Sequence, residues 1–124
     1  MKLKRITPDR FNHLASQTRL KENARQLAYG VLVEGNTPAV VASKSGMTHQ
    51  RVLLAVAVIE RAYFADKSGD GMGWVSLQMD APESVALQLD DLFQTLKDVN
   101  DETKETQVAK LLLEAVVKAR RLLS

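Results

Sequence analysis

The strongest restriction on the fold comes from residues 37–65, where two helix-start signals flank a glycine. Thr37, followed by proline, and Thr48 each place a hydroxyl where it can cap the first turn of a helix. Between them, Ala42 is small enough for a close helix crossing, and Gly46 suits the left-handed backbone of a sharp turn. The segment therefore predicts a helix, a tight turn and a second helix.

The first of these helices is expected over 38–45, and the second is expected to run from Thr48 to about Ala65. The side chains expected to face inward are Val40, Val41, Ala42, Val52 and Ala55. A DNA-binding helix-turn-helix needs small and aliphatic residues at this spacing, because its two helices cross closely. A plain helical hairpin uses the same packing, so both interpretations stay open on spacing alone.

Other capping and periodicity signals predict four further helices and one strand. They are a helix that starts at Thr7-Pro8 and buries Phe11, Leu14 and Ala15; a helix from about Lys21 to Val33; a strand at 74–79; a helix opened by Asp80 as N-cap with Glu83; and a last helix at about 103–123 with a short heptad-like stripe. The fold class is therefore mainly α.

A glycine-rich break at 67–73 divides the chain. We expect a helix-turn-helix DNA-binding domain at 1–67, a hinge at 68–73 and a strand-helix-helix dimerisation domain at 74–124. We expect the strand at 74–79 to have no second strand inside the chain and to pair instead with its copy across a two-fold axis. The residues expected at the dimer interface are Trp74, Val75, Leu77, Met79, Leu89, Leu92, Phe93 and Leu96.

Charge is distributed unevenly along the 124 residues. Residues 1–67 carry eleven Lys or Arg against five acids, whereas residues 68–124 carry six against ten. A basic half suggests a module that faces an anion, although solvated surfaces also vary by chance. The chain has no cysteine and no long apolar run, which argues against a secreted, disulfide-built or membrane protein.

Catalytic and metal-binding patterns are missing from the sequence. His13 and His49 are the only histidines and do not share a ligand spacing, and no serine stands in a nucleophile motif. We therefore expect neither an enzyme nor a metal or other cofactor. The basic start, Lys2 to Arg5, is either an arm that touches phosphates or a frayed terminus.

Several stretches of the chain resemble the TrfB/KorA family of repressors from conjugative plasmids. The resemblance is carried by the run from Ala28 to Gly35, by Ala42 through Gly46-Met47-Thr48, and by Val52, Ala55-Val56 and Tyr63; Lys4-Arg5-Ile6-Thr7 and Phe11 are also similar. It covers roughly residues 4–83 and thins after the strand. The helix after residue 100 is unlike the short basic tail of the type member.

The resemblance implies a homodimer in the bacterial cytoplasm that binds palindromic operators in double-stranded DNA and represses plasmid genes. It also leaves a second plasmid regulatory protein open as a partner. The residues expected to contact bases or nearby phosphates are Lys44, Thr48, His49, Gln50 and Arg51, and those expected to contact phosphates are Arg25, Lys21, Lys4 and Arg5.

One departure from the family concerns the middle of the second helix. Where the type member has polar residues, this chain has Leu53, Leu54, Ala57 and Val58. Such side chains offer at most an apolar contact to a thymine methyl group. The alternative is an adaptor or anti-repressor that keeps the scaffold and binds a protein. Burial of these residues within the chain would remove the basis for that alternative, and an exposed patch would favour it.

Overall fold

The computed structural model describes all 124 residues and contains six helices and one two-stranded antiparallel sheet. The elements are β1 (Lys2–Arg5), α1 (Pro8–Ser16), α2 (Glu22–Leu32), α3 (Pro38–Ser45), α4 (His49–Ala65), β2 (Trp74–Ser76), α5 (Glu83–Val99) and α6 (Glu102–Arg121). The predicted fold class, mainly α, is confirmed. The chain divides into two compact units, Met1–Gln78 and Met79–Ser124.

The core of the first unit is apolar throughout and is built around α4. Phe11 and Leu14 of α1, Leu32 of α2 and Val52 and Ile59 of α4 are the largest side chains that are fully buried. No polar or charged side chain is buried among them. Burial of one helical stripe of α4 leaves its opposite face available to solvent.

Threonine caps begin three of the four helices of this unit, as the sequence predicts. The hydroxyl of Thr7 accepts from the Arg10 N–H at 3.2 Å, and that of Thr37 accepts from the Val40 N–H at 3.3 Å. The start of α1 and both bounds of α2, α3 and α4 lie within one residue of the predicted ones. Local signals were sufficient because each cap satisfies N–H groups of its own first turn.

The sheet corrects the prediction for the second strand. That strand has a partner within the chain: β1 and β2 pair antiparallel, with Leu3 opposite Val75 and a bulge between Leu3 and Arg5. The N-terminus is therefore not frayed. Leu3 and Ile6 are buried, the Leu3 N–H donates to Glu60 Oε2 at 2.9 Å, and the Ile6 N–H donates to the Leu32 carbonyl at 2.9 Å. The strand was not predicted because Leu3 and Ile6 stand among three cations in the sequence.

The segment between α4 and β2 is tied to the first unit at several points. Arg10 Nη1 lies 3.0 Å from Asp66 Oδ2, and the Gly73 N–H donates to the Tyr63 hydroxyl at 2.9 Å. The Ser68 hydroxyl and N–H both donate to Asp66 and, with Arg10, lower the pKa of that carboxyl, whereas burial opposes them. β2 consequently lies in the first compact unit. The functional assignment of 68–73 as a hinge and 74–124 as a dimerisation domain stays a prediction.

Three local predictions were wrong. Val40 is exposed, because three consecutive residues of a helix cannot all face one side and Val41 and Ala42 occupy the inner side. Asp80 does not cap α5, which begins at Glu83 after Pro82, since a residue before proline is disfavoured in helical conformation. The strand is also shorter than predicted and ends at Ser76.

The second unit contains α5 and α6, separated only by Asn100 and Asp101. Asn100 adopts a left-handed backbone with φ 52°, and Asp101 caps α6 by accepting from two N–H groups of its first turn. Near this turn Leu96 is buried, and Leu92, Val108 and Leu112 are half-buried. Farther from the turn most large apolar side chains are exposed, among them Val85, Leu87, Val116 and Val117, whereas Leu89 is half-buried. Much of the apolar surface of this unit is therefore exposed to solvent.

Candidate nucleic-acid interface

The turn between α3 and α4 is held by its own backbone and by one serine. Gly46 ends α3 with φ 70° and ψ 14°, a left-handed conformation that glycine adopts without strain. The Ser45 hydroxyl donates to the Val41 carbonyl at 2.7 Å and accepts from the Met47 N–H at 3.3 Å. Thr48 then caps α4 by accepting from the Arg51 N–H at 3.2 Å. The two helices are therefore joined by a defined tight turn.

Small residues let α2 and α3 approach closely. A Cβ added to Gly30 of α2 would lie 3.1 Å from Val41 Cγ2, tighter than ordinary contact. On α4, Val52 and Ala55 are buried, as predicted. The sequence analysis names Gly30 only within the run Ala28 to Gly35 and predicts no packing role for it. A glycine inside a helical pattern is itself a signal for such close packing.

The beginning of α4 presents polar side chains to solvent. The five residues expected to contact bases or nearby phosphates are all exposed: Lys44, Thr48, His49, Gln50 and Arg51. No acidic residue occurs from 35 to 59, and α4 has no acid in its first turn. The positive end of the helix dipole adds to this basic character. The surface is therefore suited to an anion such as the DNA backbone.

The outward face of α4 lies opposite its buried stripe and is partly apolar. Gln50, Leu54, Ala57 and Arg61 follow one another at spacings of four, three and four residues, which places them on one side of the helix. Leu53 and Leu54 are 45% and 60% exposed, so they are not part of the core. Arg61 is exposed on this side but is not among the predicted contact residues, which on α4 all lie in its first turn.

A groove of about 390 Å³ runs between the start of α2 and the first half of α4. Lys21 and Arg51 both line it, so the structure brings together two cations that are thirty residues apart. Asn23, also missed, lines the same groove. Its remaining lining residues are Leu20, Ala24, Leu27, Met47, Leu54, Ala55 and Val58. Arg25 is half-buried one turn after Lys21.

The structure places Lys4 and Arg5 away from this groove. Both are exposed on β1, and in the same strand the Leu3 N–H donates to the Glu60 carboxylate of α4. Glu60 lies eleven residues after His49, a rise of about 16 Å along α4. A phosphate contact by Lys4 or Arg5 would therefore lie near the far end of α4, and it stays a prediction.

The residues predicted to form a dimer interface have different environments. Val75, Leu77, Met79 and Phe93 are exposed, Trp74, Leu89 and Leu92 are half-buried, and Leu96 is buried. Because the sheet has only two strands, β2 keeps one edge without a neighbouring strand. Pairing of two copies through this edge is therefore compatible with the fold, and the interface stays a prediction.

Two further features of the structure bear on the kind of protein. No three His, Cys, Asp or Glu side chains are grouped so that they could hold a metal ion. None of the helices combines the length and the apolar character needed to cross a membrane.

Comparison with known proteins supports the interpretation of the helix-turn-helix. A search of curated proteins finds no significant match. The family model described as TrfB plasmid transcriptional repressor matches residues 6–91, which include α1 to α4, β2 and the first half of α5. This match spans well over half of the chain and includes every element that positions the exposed start of α4. The chain belongs to the TrfB family of plasmid transcriptional repressors.

Proposed function

We propose that this chain is a homodimeric, sequence-specific repressor that binds palindromic operators of plasmid genes in the bacterial cytoplasm. The observation that carries the proposal is the capped start of α4, where His49, Gln50 and Arg51 are exposed in a segment without acids. In a helix-turn-helix the N-terminal residues of the second helix reach the base edges of the major groove. The family match supplies the general role in repression.

In the proposed complex each copy inserts the start of α4 into one of two successive major grooves. Gln50 and Arg51 can donate to base edges, and Arg51 is suited to guanine. Lys21 and Lys44 neutralise neighbouring phosphates, and Leu53 and Leu54 on the outward side contact thymine methyl groups. A dimer bound at a promoter then blocks transcription, and this repression needs no ligand, no metal and no chemical step.

Selection from random double-stranded DNA with the purified chain tests this proposal. We expect a palindrome whose half-sites lie about one helical turn apart. Its affinity should fall steeply as salt rises, because each neutralised phosphate releases counterions. Recovery of no preferred sequence, with only weak salt-dependent binding to every duplex, would contradict sequence-specific repression.

The exposed leucines favour a second candidate function, a protein-interaction adaptor or anti-repressor that keeps the helix-turn-helix scaffold. Leu53 and Leu54 are not covered by the chain's own helices, and Leu54 lines the groove beside Arg51. This candidate requires a protein partner, for which a second plasmid regulatory protein is one candidate. Selection from random DNA and replacement of both leucines by alanine together separate the two functions. A repressor should select a palindrome and lose affinity for it in the variant, whereas an adaptor without specific DNA reading should select no preferred sequence and lose its protein partner in the variant.

A further inference from the structure

Helix α6 carries an exposed stripe with the spacing of a coiled coil. Six of its residues follow one another at alternating intervals of four and three: Glu102, Thr106, Ala109, Leu113, Val116 and Arg120. This alternation places them along one side of the helix. Leu113 and Val116 are 66% and 53% exposed, and only Ala109 is half-buried. The middle of the stripe is therefore apolar and uncovered, and its two ends have opposite charges.

This stripe differs from the part of α6 that is already covered in its own unit. Glu105, Val108 and Leu112 are half-buried and occupy an adjacent side of the helix. The stripe also lies beyond residue 91, where the family match ends. It is a feature of this chain that the family match does not account for.

The order of residues along the stripe is complementary to itself when two copies run in opposite directions. With the midpoint at Leu111, Glu102 lies opposite Arg120 of the second copy, and Ala109 lies opposite Leu113 of the second copy. Each large side chain at the centre then meets a small one, as close packing requires. Thr106 lies opposite Val116 in the same arrangement.

Charge also selects the antiparallel direction. The segment 98–105 carries four acids and one lysine, whereas 118–121 carries three cations and no acid. Antiparallel pairing places the acidic segment of each copy against the basic segment of the other. Parallel pairing would place like charges together at both ends, which disfavours it.

We infer that α6 pairs antiparallel with α6 of a second copy of this chain, through the stripe from Glu102 to Arg120. The two-fold axis crosses the pair at the height of Leu111 along the helix, although the side chain of Leu111 points away from the interface. A two-fold contact needs a surface that is complementary to itself, which this stripe provides. The inference rests on the homodimer of the proposed function and names the element that forms it. This pairing adds a contact between the two copies that lies outside the family match.

Sedimentation of the full chain tests the stripe with a matched pair of variants. Leu113 lies on the stripe, whereas Leu111 is equally exposed, at 65%, but projects from the opposite side of the helix. Leu113→Glu should weaken dimerisation about tenfold or more, because it buries carboxylates in the interface. Leu111→Glu should leave the dimer unchanged. A Leu113→Glu variant that dimerises as tightly as the unmodified chain would overturn the inference.

A charge exchange tests the direction of pairing. Arg120→Glu should weaken the dimer, and Glu102→Arg in the same chain should restore it, because the two positions meet only between antiparallel copies. Circular dichroism shows whether α6 stays helical in both variants. Absence of rescue while α6 remains helical would contradict the antiparallel arrangement.

Cross-linking gives an independent measure, since the chain has no cysteine of its own. A mixture of Thr106→Cys and Val116→Cys copies should form a mixed disulfide. Val116→Cys alone should not, because two such positions would lie about 15 Å apart along the helix axis. Efficient self-cross-linking of Val116→Cys would show parallel pairing and overturn the inference.

The outcomes also separate this inference from the proposed function. If the unmodified chain is a monomer both with and without DNA, the proposed homodimer and the inference both fail. If the chain is a dimer that binds a palindrome while Leu113→Glu has no effect, only the inference fails.

Discussion

Arg51 combines a backbone fixed by the helix cap with a side chain that is exposed at the proposed interface. Its N–H is bonded to the Thr48 cap, which fixes the first turn of α4, while its guanidinium remains exposed beside the groove that Lys21 also lines. Arginine donates two parallel hydrogen bonds to guanine through a rigid planar group, a geometry that the flexible ammonium of lysine matches less well. This residue is therefore the sharpest test of base recognition.

Arg51→Ala should weaken operator binding by about 1–3 kcal/mol, because a base contact is lost. Fluorescence anisotropy at fixed salt measures the change, with Lys110→Ala on the exposed surface of α6 as a matched control that should have no effect. Arg51→Lys should lose most of the same free energy if the contact reads guanine. Unchanged affinity of Arg51→Ala would remove Arg51 from the interface.

Among the elements, the turn between α3 and α4 depends most on one backbone conformation. A Cβ added at Gly46 would meet no atom within 4 Å, so space is not the restriction there. The positive φ is the restriction, since other residues are strained in that region. The relative position of α3 and α4 therefore depends on this glycine.

Gly46→Ala should lower the free energy of unfolding by about 1 kcal/mol, through backbone strain alone. Gly46→Asn is the matched variant and should cost less, because asparagine tolerates the left-handed conformation. Urea unfolding measures both. Equal stability of the alanine variant and the unmodified chain would show that the turn relaxes to another geometry.

The comparison of elements shows which parts of the fold the sequence could predict. Helices α1 to α4 were predicted closely, because caps and apolar stripes are local signals. β1 was not predicted, because its pairing with β2 joins residues about seventy positions apart and the buried Leu3 and Ile6 stand among cations. Within the candidate site the exposed start of α4 was predicted, and the position of Arg61 follows from helical spacing alone. Asn23 needed the three-dimensional arrangement of α2 and α4, because it lines the groove between them.

At the scale of the whole molecule, the two compact units have opposite net charges. Residues 1–78 carry eleven cations and six acids, and residues 79–124 carry six cations and nine acids. This division matches the proposal that the first unit binds DNA and the second holds two copies together. An acidic second unit also disfavours nonspecific contact of that unit with phosphates.

The first unit depends on a strand at its own N-terminus, which a stability measurement can test. Leu3→Ala should lower the free energy of unfolding by about 2–5 kcal/mol, because Leu3 is buried in the core. Lys4→Ala, at the next and exposed position, should change it by less than about 0.5 kcal/mol. Equal effects of the two substitutions would contradict the buried position of Leu3.

The pairing of β1 with β2 also determines when this unit can be completed during synthesis. Lys2 lies opposite Ser76, so β1 cannot pair until β2, which follows it in the chain, has also been synthesised. Helices α1 to α4 can form from local contacts in the meantime, and closure of the sheet is the late, long-range step. A nascent chain released before residue 74 would therefore lack its sheet, with Leu3 left without its partner strand.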